Sequence, residues 1–240
     1  MSFRKWTEDL RKVRGNQPNW PWLLGFALEK EFGVQRAADE GYAGEVFLDR
    51  DGHPFQEGSS ERRMVAGLYH LCCRDNEGRL IIGDEEFWLL GYEWPNQGGD
   101  HEKGRRAVLV GMTVDGGLVV FECKRHDNDD PPFTALTEGL DYLSCLLRRR
   151  NYDRIVAGFR CWKRKSGKVV AKLFQDVEPN PTARAAVIVL APGEYFSGRY
   201  ARSKRGDGWP DLATVGDEVC LSFRIGFAVS DFESSAAEWI

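Results

Sequence analysis

Histidine and methionine are scarce in this chain of 240 residues, at 4 and 3. His53, His70, His101 and His126 form no i, i+4 pair, which argues against a zinc enzyme. The 6 cysteines, at 72, 73, 123, 145, 161 and 220, make no CxxC pair and sit mostly in apolar runs. Neither a disulfide framework nor a zinc ribbon is expected from them. No GxGxxG, Walker loop or GxSxG is present, so dinucleotide enzymes, P-loop ATPases and the common serine hydrolases are disfavoured. No stretch approaches eighteen consecutive apolar residues, and the start, MSFRKWTEDLRKVRG, lacks the apolar segment and cleavage site of a secretory signal. A soluble cytoplasmic protein without a membrane partner is expected.

Apolar residues make up 42% and charged residues 29%, with 14 Phe, 8 Trp and 7 Tyr, which is ample material for a packed core. The net charge is −4, so the whole molecule has no bulk attraction for polyanions. Its distribution is uneven. Between Arg148 and Lys172 ten basic residues face one acid, Asp153. That window predicts a basic face on an acidic body, suited to a phosphate backbone.

Residues 1–58 read as a helical N-terminal extension, with Trp6, Leu10 and Val13 on one stripe and Trp22, Leu23, Phe26 and Phe32 on another. Residues 59–240 read as one α/β domain. A helix is predicted from Ser60 to Cys73, then strands over Phe87 to Glu93, Arg106 to Thr113 and Leu118 to Lys124. Asp115-Gly116 between the last two is a strong hairpin signal. Pro131 and Pro132 open a helix with the stripe Leu136, Leu140, Leu143 and Leu147. Ile155 to Trp162, Val169 to Phe174, Ala185 to Ala191 and Val219 to Val229 are further strand candidates.

The chemistry lies in RRAVLVGMTVDGGLVVFECKR, residues 105–125. On its second strand Glu122 and Lys124 are two residues apart and share one face, roughly 7 Å apart. A carboxylate there can bind a divalent ion, an amine can orient or deprotonate water and stabilise developing charge, and the Cys123 carbonyl between them can complete an oxygen shell. The same spacing also suits a solvated edge strand.

The order of helix, three strands, helix and strand, with Glu-Cys-Lys closing the hairpin, resembles the core of the PD-(D/E)XK nuclease superfamily over about residues 59–191. The resemblance implies a restriction-endonuclease-like mixed sheet and cleavage of DNA or RNA with Mg2+ or Mn2+. It implies catalytic roles for Glu122, Lys124, Glu61 and Glu138, support of the second helix by Tyr142, and metal ligation by Glu122 and the Cys123 carbonyl. Dimers occur among relatives, which leaves a homodimer open.

The family's first-strand metal-binding Asp falls at Val108, and a valine cannot bind a metal. A strict two-residue turn pairs Leu109 with Glu122 and Val108 with Cys123, so only a bulge or strong twist brings position 108 to the active face. Three accounts of Val108 stand: a silent site that still binds nucleic acid, replacement by another acid such as Glu93, Asp100 or Glu102, or an inactivating change. Glu93, ending the neighbouring strand, is the best substitute.

The nucleic-acid contacts expected are Arg148, Arg149, Arg150, Arg160, Lys163, Arg164, Lys165 and Lys168, with Tyr152, Phe159 and Trp162 interleaved for stacking. Arg202, Lys204 and Arg205 form a second basic window. Both windows also suit plain solvated segments. The alternative to a nuclease is a non-catalytic nucleic-acid-binding or protein-interaction module.

Overall fold

A computed structural model describes residues 60–96, 105–128, 132–147, 149–165, 174, 177–197 and 223–240. The expected extension over residues 1–58, Arg148, Lys168, Asp100, Glu102 and the window with Arg202, Lys204 and Arg205 lie outside them.

The first described helix, α1 (Ser60–Asp75), buries Val65, Leu68, Tyr69 and Cys72, an i, i+3, i+4, i+7 set on one face. It ends where Glu77 and Gly78 take positive φ of 54° and 82° and the Gly78 amide donates to the Cys72 carbonyl at 2.8 Å, a glycine-type helix stop. Four antiparallel strands follow: β1 (Arg79–Ile82), β2 (Glu85–Asn96), β3 (Arg105–Thr113) and β4 (Leu118–Cys123). Then come α2 (Pro132–Leu146), α3 (Arg149–Lys165), β5 (Ala185–Ala191), the single-turn α4 (Gly193–Ser197), β6 (Phe223–Val229) and β7 (Ala236–Trp239).

β5 lies parallel to β4 and β6 parallel to β5. β7 pairs antiparallel with β6 and parallel with β1, through Ile81 with Ala236 and Ile82 with Ala237. The strands therefore form a closed seven-stranded barrel. This corrects the open restriction-endonuclease-like α/β sheet expected from the sequence. The cause is two short strands, Arg-Leu-Ile-Ile and Ala-Ala-Glu-Trp, too brief to show a period.

The ring carries apolar side chains on both faces. Val120, Val187 and Val189 pack with α2 and α3 on one side, while Phe121, Ile188 and Leu190 pack with α1 on the other. β5 is buried at every position, as a continuous apolar strand between two parallel neighbours should be.

Two local readings change. Ile155 to Trp162 is helix, not strand: Tyr152, Ile155, Phe159 and Trp162 follow the 3.6-residue period and enter the core, while Arg149, Asp153, Ala157, Arg160 and Arg164 form the exposed stripe. A strand reading would have faced alternate residues outward. The β3–β4 hairpin also turns differently from the two-residue form. The Gly116 amide donates to the Thr113 carbonyl at 3.0 Å and the Thr113 amide to the Gly117 carbonyl at 2.9 Å, with Gly116 at φ 92°. That is a turn with a glycine bulge. A Cβ at Gly116 would also lie 2.2 Å from the Glu178 carbonyl oxygen. The extra residue shifts the register, so Leu109 pairs with Phe121.

Candidate functional site

Along β4, Leu118 and Val120 face the core under α2 and α3, whereas Val119, Phe121 and Cys123 face α1. Strand alternation puts Glu122 on the α2 side. The helix can approach because residue 139 is glycine: a Cβ there would lie 2.5 Å from Val187 Cγ1 and 3.5 Å from Glu122 Cβ. One residue earlier on α2, Glu138 reaches Lys124.

Glu122 is 2% and Lys124 5% exposed. The Lys124 ammonium lies 3.0 Å from Glu122 Oε1 and donates to Glu138 Oε2 at 2.9 Å. Glu138, with 18% of its side chain exposed, is the member that meets solvent. Glu122 Oε2 is buried and has no hydrogen-bond donor among the described residues. At the start of α1, Glu61 adds its charge to the same neighbourhood.

Burial pushes the Glu122 carboxyl up to about 7; the Lys124 charge opposes this, and the charges of Glu138 and Glu61 reinforce it. Burial alone would lower Lys124, but Glu122 and Glu138, by charge and hydrogen bonding, raise it above the ordinary lysine range. Lys124 is thus held as an ammonium and is no base at neutral pH. One ammonium pairs with two carboxylates while the Glu61 charge also acts on Glu122, and a proton on Glu122 relieves part of that excess. Burial, then Glu122 and Glu61, raise Cys123 well above an ordinary thiol, so its sulfur is a neutral packing group in the α1-side core.

For a divalent ion the fit is poor. No three His, Cys, Asp or Glu side chains among the described residues converge on a metal-binding group, and one Glu122 oxygen is already taken by Lys124. The shifted register has a bearing on this. One step beyond the Leu109–Phe121 pair, position 108 falls opposite Glu122, while Tyr92 with Leu109 and Trp94 with Ala107 set position 93 opposite position 108. Positions 93, 108 and 122 therefore form one row across three strands. The side chains of Val108 and Glu93 lie outside the described residues.

The basic window is divided by helix geometry. Arg149, Arg160 and Arg164 are exposed on α3 and Lys163 is half-buried, while the side chains of Arg150 and Lys165 lie outside the described set. Arg160 donates to Glu178 Oε2 at 3.0 and 3.1 Å. Trp162 is 8% exposed and Phe159 fully buried, in ring contact with each other and with Phe174. Neither presents a free face for stacking a base, which corrects that expectation. Tyr142 is buried on α2.

No helix among the described residues is long and apolar enough to cross a membrane. No family model, curated protein or solved structure matches the chain.

Proposed function

We propose that the chain binds nucleic acid and hydrolyses phosphodiester bonds at Glu122 and Lys124. The observation that carries this reading is the buried, donorless Oε2 of Glu122 beside a charged lysine. A carboxyl with a pKa of about 7 can take a proton near neutral pH from a water admitted on the Glu138 side, where the cluster meets solvent, and a neighbouring ammonium offsets charge developing on phosphate oxygens. The proton of the attacking water passes to Glu122 as its oxygen bonds to phosphorus. The bond to the leaving sugar oxygen breaks, that oxygen takes a proton from solvent, and Glu122 returns its own to solvent. Lys124 keeps its charge throughout, so its role is electrostatic. Glu138 holds the ammonium and is a positioning residue. The reading stands on the chemistry of the site, since the fold by itself implies no function.

A second reading, nucleic-acid binding without cleavage, is favoured by valine at position 108 opposite Glu122 and by the lack of a metal-donor set among the described residues. Cleavage of mixed DNA and RNA substrates, with Mn2+ and with chelator, by the unaltered chain, Val108→Asp and Glu122→Gln separates the two. Cleavage by the unaltered chain that is lost in Glu122→Gln is the expected result. Cleavage confined to Val108→Asp identifies a site silenced at position 108, and inactivity of all three leaves the binding reading.

A further inference from the structure

The short strand β7 is lightly held in the ring. It pairs through Ala236 with Ile81 and Ala237 with Ile82 on one side, and through Trp239 with Ala228 and Glu238 with Val229 on the other. Of its four residues only Ala237 is buried, and Trp239 is partly so. The segment that leads into it, residues 230–235, is bent at a strained residue. Phe232 has φ 61°, a left-handed conformation in which the Cβ of a bulky residue crowds its own backbone, and its ring is buried in the α1-side core. The bend is held by the Phe232 amide donating to Ser230 Oγ at 3.1 Å and by the Glu233 and Ser234 amides donating to Asp231 Oδ1 at 2.9 and 3.2 Å. The two bonds to Asp231 are exposed, so water can replace them.

The seat of β7 is cut for its own side chain. A Cβ at Gly83 would lie 2.9 Å from Trp239 Cδ1 and one at Gly226 2.6 Å from Trp239 Cζ3, and the Arg224 guanidinium covers the ring at 4.6 Å. A strand without tryptophan in that register leaves the hollow empty. The seat therefore selects β7 itself over an unrelated strand.

We propose that β7 exchanges between two copies of this chain, each copy's strand completing the other's ring. In the exchanged dimer every contact of β7 with β1 and β6 is remade, including the bonds from the Ile81 and Gly83 amides to Ser235 and Ala237, so these contacts cancel between the two forms. What remains is the hinge and the freedom lost on association. Rotation about the N–Cα bond of Phe232 swings only the chain before it. The Phe232 ring and β7 thus keep their relative places and enter the second copy together, while the backbone leaves the left-handed region. A short hinge under strain favours exchange for this reason. The proposal is independent of the chemistry assigned to Glu122 and Lys124.

The test warms the concentrated full chain to just below its unfolding transition, cools it, and separates monomer from dimer by size exclusion with light scattering. A dimer is expected that persists on cold dilution and reverts on rewarming. Paired residues of neighbouring strands are close enough for a disulfide, so Ile81→Cys with Ala236→Cys, oxidised after separation, is expected to link two chains in the dimer and to close within one chain in the monomer. Either substitution alone is expected to give no such link. Phe232→Gly and Phe232→Ala remove the same ring, but only glycine accepts φ 61° without strain. The Phe232→Gly dimer is therefore expected to dissociate at about tenfold higher concentration than the Phe232→Ala dimer. A chain that stays monomeric at millimolar concentration overturns the proposal. So does a dimer whose 81–236 link stays within each chain, a link formed equally by either single substitution, or equal dissociation of the two Phe232 variants. Should both Phe232 variants fail to fold, the cross-link alone decides.

Discussion

A glutamate in an unfolded chain loses its proton near pH 4.5, whereas Glu122 in the folded chain holds it to about 7. Between those values the native state binds more protons than the unfolded state, so the slope of unfolding free energy against pH is negative and stability falls as pH rises. The integrated loss is about 3 kcal/mol. Urea midpoints between pH 5 and 7.5 should therefore decline in the unaltered chain and stay flatter in Glu122→Gln; parallel curves refute the assignment. Lys124→Met leaves Glu122 buried without its cation and should cost about 3 to 5 kcal/mol at pH 8. The cost should shrink at pH 5, where Glu122 takes up a proton, and a pH-independent cost would point to packing alone. At this scale the sequence was informative: the two-residue spacing of Glu122 and Lys124 brought them to one face. It could not show that Glu138 would bind the same ammonium or that Oε2 would lack a donor, because both depend on how closely α2 lies against β5.

That closeness is a property of the helix. Gly139 costs α2 up to about 1 kcal/mol of intrinsic helix propensity relative to alanine, yet its missing Cβ is what lets the helix rest on Val187. Gly139→Ala places a methyl 2.5 Å from Val187 Cγ1, a contact with a fully buried side chain on a central strand. It should destabilise by about 1 to 3 kcal/mol despite the better propensity, measured by thermal unfolding; a stabilised Gly139→Ala would show that α2 can shift without loss. β3, β4 and β5 were legible as short apolar runs bounded by turn residues, and α2 by its 3.6-residue stripe. The stretch 149–165 was misread because Ile-Val-Ala-Gly-Phe, taken alone, fits a strand. Only the longer window that adds Tyr152 and Trp162 shows the helical period. The hairpin register escaped for a different reason: Asp-Gly signals a turn, but the added bulge at Gly116 depends on its contact with the segment around Glu178 and Asn180.

The closed ring is the least local feature of the molecule. Closure depends on Trp239, which lies under the Arg224 guanidinium at 4.6 Å and contacts the backbone space left by Gly83 and Gly226, while Arg224 also pairs with Glu85. Trp239→Ala should cost about 2 to 4 kcal/mol, toward the lower part of the large-to-small range because the ring is only partly buried. The Ile81 and Gly83 amides, which donate to Ser235 and Ala237, should lose hydrogen-exchange protection first. Unchanged protection there would mean the ring is held shut elsewhere. No local pattern announces this pairing, since β1 and β7 each show four residues of weak period and their partnership spans almost the whole described chain.

The partners that close the ring, Ile81 and Ala236, are 155 residues apart. At translation rates of about 5 to 20 residues per second, β1 waits roughly ten to thirty seconds on the ribosome before the strand that covers its open side has been made. Through that interval its outer backbone groups can pair only with water or with another chain's edge.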